Sequence, residues 1–153
     1  MNFDGAIFDY LRATGIGVAV RNEHGEVVAA LAEQIPIPDS VFTLETLVAR
    51  RVVLFARDLG LHHVVFEGDL ESSIHAISNR LLLHSSCDHI IHDILLFSRS
   101  FQSFSFSHMC RQGNALADAL TKRARLSSPL LVWMESIPPD LYNCYLSDFS
   151  SLN

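Results

Sequence analysis

Long apolar runs are missing: no stretch of the 153 residues reaches the roughly 18 that a membrane span requires. Cysteine is scarce. Cys87, Cys110 and Cys144 are odd in number and far apart, with no CxxC pair. That excludes a disulfide framework and a zinc finger, and fits thiols in a reducing intracellular compartment, with nucleus and cytoplasm left open. Glycine (7) and proline (5) are too few for a low-complexity chain. The opening MNFDGAIFDY carries two aspartates and no basic flank, so it does not read as a signal peptide. Basic charge is also short: Lys+Arg 11 against Asp+Glu 17 leaves a net charge of -6. Phosphate contacts need a basic surface, so this balance does not by itself suggest a nucleic-acid binder.

What is present is a chain with 49% hydrophobic and 18% charged residues, enough for one sizeable core. Residues 2–9 read as a short strand. Gly15 to Arg21 is a better one, β-branched at every second position. Asn22-Glu23-His24-Gly25 is a turn, and Glu26 to Gln34 returns as a third strand. Two prolines, Pro36 and Pro38, stop the meander, and Asp39 or Ser40 can cap a helix. Apolar residues then recur at helical spacing from Val41 to Leu59, until Gly60. His63 to Asp69 is a continuous apolar strand of the doubly buried kind. Helices are predicted at 71–79, 88–101 and 114–126, with an alternating strand at 104–108. The order implies an α/β domain over residues 1–126, with a five-stranded mixed sheet and helices on both faces. Residues 127–153 read as an irregular aromatic tail with Pro129, Pro138, Pro139 and Trp133.

Four acids fall at telling places. Asp4 lies in the first strand, Glu45 in the first long helix among Leu44, Leu47 and Val48, Asp69 at the end of the fourth strand, and Asp118 between Ala117 and Ala119 in the last helix. Each is set among apolar or small residues, where a lone carboxylate is costly. Four that converged would repel one another unless divalent cations sat between them. Oxygen ligands without a Cys or His pattern select Mg²⁺ or Mn²⁺. The chemistry that suits two such ions is phosphodiester hydrolysis. Each acid also has a plain reading: Asp4 as a turn residue before Gly5, Glu45 as a solvated helix charge, Asp69 as a cap for the following helix, and Asp118 as an i,i+4 partner of Lys122.

The pattern resembles the type 1 ribonuclease H family, and within it the plant reverse-transcriptase-like ribonuclease H domains. The carrying segments are Asn2-Phe3-Asp4-Gly5-Ala6, Gly15 to Arg21, Leu44-Glu45-Thr46-Leu47 with Val48 to Arg51, Glu67-Gly68-Asp69, and Arg111-Gln112-Gly113-Asn114 with Ala115 to Leu120. The resemblance runs from about Asn2 to Arg125, and the tail, with Val132 to Glu135 and Pro138-Pro139, is similar to the end of the plant proteins.

It implies a ribonuclease H-like fold and two Mg²⁺ (or Mn²⁺) ions at Asp4, Glu45, Asp69 and Asp118. It further implies that the RNA strand of an RNA–DNA hybrid is cut by in-line attack of water, leaving a 3′-hydroxyl and a 5′-phosphate. Such a protein reads the A-form minor groove. Arg111 and Asn114 are then expected beside the site, and Gly5 and Ala6 where the hybrid backbone comes close. His108 is a candidate auxiliary residue, with Arg111 as the alternative occupant of that place.

Some features depart from the family pattern. No basic handle helix is present, Leu81-Leu82-Leu83-His84 standing in its place, and Leu70 replaces the small hydroxyl residue expected after Asp69. Lys122, Arg123 and Arg125 either meet phosphates or favour their helix C-terminus. His89 and His92 share a helix face that reads as solvated. The competing functions are a domesticated, non-cutting module that binds nucleic acid or protein, a protein partner held through the aromatic tail, and a nuclease of other structured nucleic acids.

Overall fold

The computed structural model describes residues 1–69, 71–79, 86–126 and 129–151. Six strands form one sheet: β1 (Asn2–Phe8), β2 (Ala13–Arg21), β3 (Val27–Pro36), β4 (His63–Gly68), β5 (Ser103–His108) and β6 (Leu130–Met134). Their order is β5-β4-β1-β2-β3-β6. The pairs β1–β2, β2–β3 and β3–β6 are antiparallel, while β4 is parallel to both β1 and β5. The helices are α1 (Val41–Asp58), α2 (Glu71–Ser78), α3 (Asp88–Ser98), α4 (Ala115–Arg123) and α5 (Tyr142–Ser151). Among the described residues no helix is long and apolar enough to cross a membrane. None of the three cysteines is in a disulfide.

Local chemistry explains the boundaries. In the β2–β3 turn the Asn22 side-chain oxygen accepts hydrogen bonds from the N–H groups of His24 and Glu26, both at 3.0 Å. The Ser40 hydroxyl accepts from the Thr43 N–H at 3.0 Å and so caps α1. At its other end α1 closes on Gly60, whose N–H donates to the Arg57 carbonyl at 2.9 Å. One core lies between the sheet and α1 with α3. Phe3, Ile16, Val18, Leu31, Val48, Val52, Phe66 and Ile94 meet there, and none is more than 1% exposed.

The predicted five strands are corrected to six. Leu130–Met134 pairs with β3 from Ala29↔Met134 to Glu33↔Leu130. This segment is short and apolar without a clean alternation, so its pairing comes from tertiary context. Without β6, β3 would be a sheet edge with Ala29 to Ala32 wholly buried, a poor edge strand. The tail read as irregular thus holds a strand and a helix. Trp133, Ile137, Leu141 and Tyr145 pack on a second core of Ala19, Ala30, Leu116 and Leu120, on the sheet face opposite α1. The predicted third helix ends earlier than expected, at Ser98. Leu70 and the run Leu81 to His84 lie outside the described residues.

β2 has two unlike faces. Ile16 and Val18 face the first core, whereas Gly15 and Gly17 face α4. A Cβ on Gly17 would overlap the Ala117 carbonyl and the Thr121 backbone, and one on Gly15 would overlap the Thr121 carbonyl. The helix backbone therefore lies directly on the strand backbone. We expect Gly17→Ala to lift α4 and to destabilise the fold by about 2–3 kcal/mol. Urea titration measures this; an unchanged midpoint would mean that α4 can move away at little cost.

Candidate active site

The sheet register sets the first pair of acids. β1 and β4 run parallel with Asn2 opposite Glu67 and Phe3 opposite Gly68. One residue further along each strand come Asp4 and Asp69. β5 continues the row, with His108 opposite Gly68. The central strands thus bring Asp4, Asp69 and His108 to one end of the sheet.

Helix α4 brings the third acid. Asn114, just before the helix, donates from its side-chain amide to the Phe3 carbonyl at 2.9 Å. The Thr121 hydroxyl lies 3.2 Å from the Asp4 carbonyl and 2.9 Å from the Ala117 carbonyl. Asp118 sits between these two ties to β1. Its carboxylate is close enough to Asp4 to disfavour charge there. Burial, followed by Asp118, pushes the Asp4 carboxyl up to about 6 from the ordinary 3.8. The Gly5 N–H, Arg111 and the Thr121 hydroxyl act in the opposite direction and are outweighed.

The remaining residues have partners of their own. Asp69 Oδ1 is 3.2 Å from His108 Nε2, and Asp69 Oδ2 is 4.0 Å from Arg111 Nε. The Arg111 side chain is 86% exposed, so its charge faces solvent over the site. Glu45, half-buried on α1, accepts from the Ser73 N–H at 3.3 Å and the Ser73 hydroxyl at 2.6 Å. Lys122 Nζ lies 2.6 Å from Asp118 Oδ2, the i,i+4 pair expected from spacing.

The structure therefore joins Asp4 to Asp118, and Asp69 to His108, with Arg111 near both pairs, while Glu45 turns to α2. Among the described residues no three His, Cys, Asp or Glu side chains come close enough together to hold one ion.

Two of the other candidates have packing partners of their own. The space beside Gly5 is filled by Val48, so its small size accommodates α1. Asn114 is 2% exposed and acts as a tie between α4 and β1. Ala6 is half-buried and paired with Gly15. Thr121 and Ser73 were not among the sequence candidates. Thr121 could have been noticed as a polar residue on the apolar stripe of Leu116, Ala117 and Leu120. Ser73 has no local signal.

Sheet order, helix placement and the acid-bearing ends define a ribonuclease H fold. The structure is similar to ribonuclease H1 from the archaeon Halobacterium salinarum, at 20% identity and a TM-score of 0.72, covering 82% of this chain and 96% of that one. It is also similar to the N-terminal RNase H domain of rv2228c from Mycobacterium tuberculosis, at 19% identity and 0.69, covering 80% and 95%. A third similar structure is LC11-RNase H1 in complex with an RNA/DNA hybrid, at 19% identity and 0.63, covering 82% and 96%. The family model described as reverse transcriptase-like matches residues 2–124, and the chain belongs to that family. A search of curated protein sequences gives no match.

The raised Asp4 carboxyl has a pH consequence. Its folded value lies above its unfolded one, so the folded state binds more protons between about pH 4 and 6. Charged Asp4 therefore costs stability above pH 6, and the cost fades as pH falls toward 4. Without divalent cations, Asp4→Asn should be more stable than the parent at pH 8 by about 1–3 kcal/mol. The two should converge near pH 4. Melting curves across this range test it, and a constant difference at all pH values would count against a charge effect.

Proposed function

We propose that this chain is a divalent-cation-dependent endonuclease that cuts the RNA strand of RNA–DNA hybrids. The carrying observation is the Asp4–Asp118 pair: two carboxylates held together by a close helix–strand contact, with the Asp4 carboxyl raised by burial and by its neighbour. Such a pair is a natural seat for a hard cation, and an all-oxygen donor set suits Mg²⁺ or Mn²⁺. Asp69 and Glu45 are the further candidates to hold the ions. The family membership and the fold support this reading, as does the RNA/DNA hybrid bound by LC11-RNase H1.

When bound, Mg²⁺ or Mn²⁺ would supply Lewis-acid activation of water and relief of charge at the leaving oxygen. The chain's own residues have separate tasks. Asp4 and Asp118 provide fixed negative charge on a rigid strand and helix. His108 orients Asp69 through their 3.2 Å contact. Arg111 is exposed and positioned to meet a phosphate of the hybrid. Lys122 balances Asp118 in the free protein. Gly5 and Ala6 belong to the same strand segment as Asp4, on the path of the hybrid backbone. A reducing intracellular compartment is consistent with the thiols of Cys87, Cys110 and Cys144.

A second reading is a non-cutting binding module. Two observations favour it: Glu45 is engaged by Ser73 rather than facing the other acids, and the net charge is -6.

Cleavage of a labelled hybrid in Mg²⁺ or Mn²⁺, beside Asp69→Asn, separates the two. The nuclease reading expects RNA-strand cleavage that falls by more than about a hundredfold in the variant, beyond the usual cost of losing an outer-shell partner. Hybrid binding without cleavage by the folded parent would establish the binding module instead. Competition with duplex RNA and duplex DNA tests the choice of substrate.

A further inference from the structure

The first amides of a helix have no partners within it and must find them elsewhere. In α4 the preceding residue does not provide them: the Asn114 amide nitrogen donates to the Phe3 carbonyl, and its Oδ1 accepts from none of these N–H groups. The partner comes from α5. Asp148 Oδ1 accepts from the Ala115 N–H at 2.8 Å, and Oδ2 accepts from the Leu116 N–H at 3.0 Å. Asp148 is 0% exposed, and its Oδ2 also meets Arg21 of β2 at 2.7 Å. The Arg21 guanidinium lies over the Tyr145 ring, 5.7 Å from its centre, so one arginine grips α5 at two points. A buried carboxylate at the positive end of α4 makes strong, charge-assisted bonds.

We propose that Asp148 is a positioning residue for the candidate active site, and that residues 130–151 are a working part of it although the family match ends at residue 124. The inference rests on the reading of Asp118 as a functional acid. Its physical basis is the glycine floor under α4. Gly15 and Gly17 have no side chains to key the helix in place along its axis. On the strand side, axial placement therefore relies on polar ties, from Asn114 and Thr121 to β1 and from Asp148 at the helix start, beside the packing of Leu116 and Leu120. The Ala115 and Leu116 amides lie within a turn of Asp118, so a shift of the first turn moves that carboxylate relative to Asp4.

The test compares the full chain with Asp148→Ala and Asp148→Asn, first without metal. In Asp148→Ala, hydrogen exchange at the Ala115 and Leu116 amides should accelerate about tenfold or more, while β4 and α1 stay protected. NMR amide shifts at Asp4 and Asp118 should move. Asp148→Asn keeps a side-chain oxygen for these amides and should restore most of both signals.

In hybrid cleavage, Asp148→Ala should lose roughly ten- to a hundredfold in kcat with little change in KM, the scale of an outer-shell partner. Asp148→Asn should recover most of it. Ile94→Ala, a core change on the opposite face, should keep its kcat while folded. Normal exchange and normal shifts in Asp148→Ala would overturn the proposal. So would an equal kcat loss in Ile94→Ala, since general destabilisation would then explain both. A parent chain that does not cut the hybrid would defeat the proposed function, and the exchange and shift measurements would still decide the role of Asp148.

Discussion

A helix lying on a strand surface without side chains is the contact on which the rest of this structure depends. Gly15 and Gly17 let the backbone of α4 touch the backbone of β2, so no side-chain layer separates them. That closeness lets Thr121 and Asn114 reach main-chain carbonyls of β1 and sets Asp118 against Asp4. A larger residue on this face would hold the helix away and leave both carboxylates in water. The charge repulsion at Asp4 and the packing at Gly17 are therefore consequences of one geometry.

Charge follows from the same frame. Burial and a like neighbour both act on Asp4, and the groups that oppose them are Arg111, Thr121 and a backbone N–H. Each of the other three acids has a counterpart: His108 for Asp69, Ser73 for Glu45, Lys122 for Asp118. A cation bound at Asp4 and Asp118, as proposed, would compete with Lys122 and relieve the repulsion that the free protein carries there. For Asp69 and Glu45 to join the proposed site, their contacts to His108 and Ser73 would have to yield.

Most of the frame was legible in the chain. The alternation Gly15-Ile16-Gly17-Val18-Ala19-Val20 records small residues on one face of β2 and large ones on the other, a period-two signal. The acids were visible because each sits among apolar neighbours, and the ends of β1 and β4 place Asp4 and Asp69 as strand reading suggests. What escaped was set by contacts between distant parts of the chain. The strand at Leu130 is stabilised by β3, nearly a hundred residues earlier, and its own short sequence could equally suit a buried turn. Asp148 looks like any acid in an aromatic tail until Arg21 and the start of α4 are seen around it. Glu45 was read from its neighbours on α1, and its partner, a serine on the next helix, carries no periodicity to reveal it. The contact of Gly5 with Val48 of α1 is likewise one that strand reading does not reveal.

The docking of the tail changes where this domain ends. The family model matches residues 2–124 and so ends within the turn that follows α4. The physical unit does not stop there. Trp133, Ile137, Leu141 and Tyr145 cover Leu116 and Leu120, and β6 pairs with the outer side of β3. A chain cut at the sequence boundary would bare an apolar helix face and a row of unpaired backbone groups on a strand with a buried centre, the two features that drive protein association in water. The matched segment and the packed unit have different lengths, and the C-terminal segment is what covers this helix face and strand.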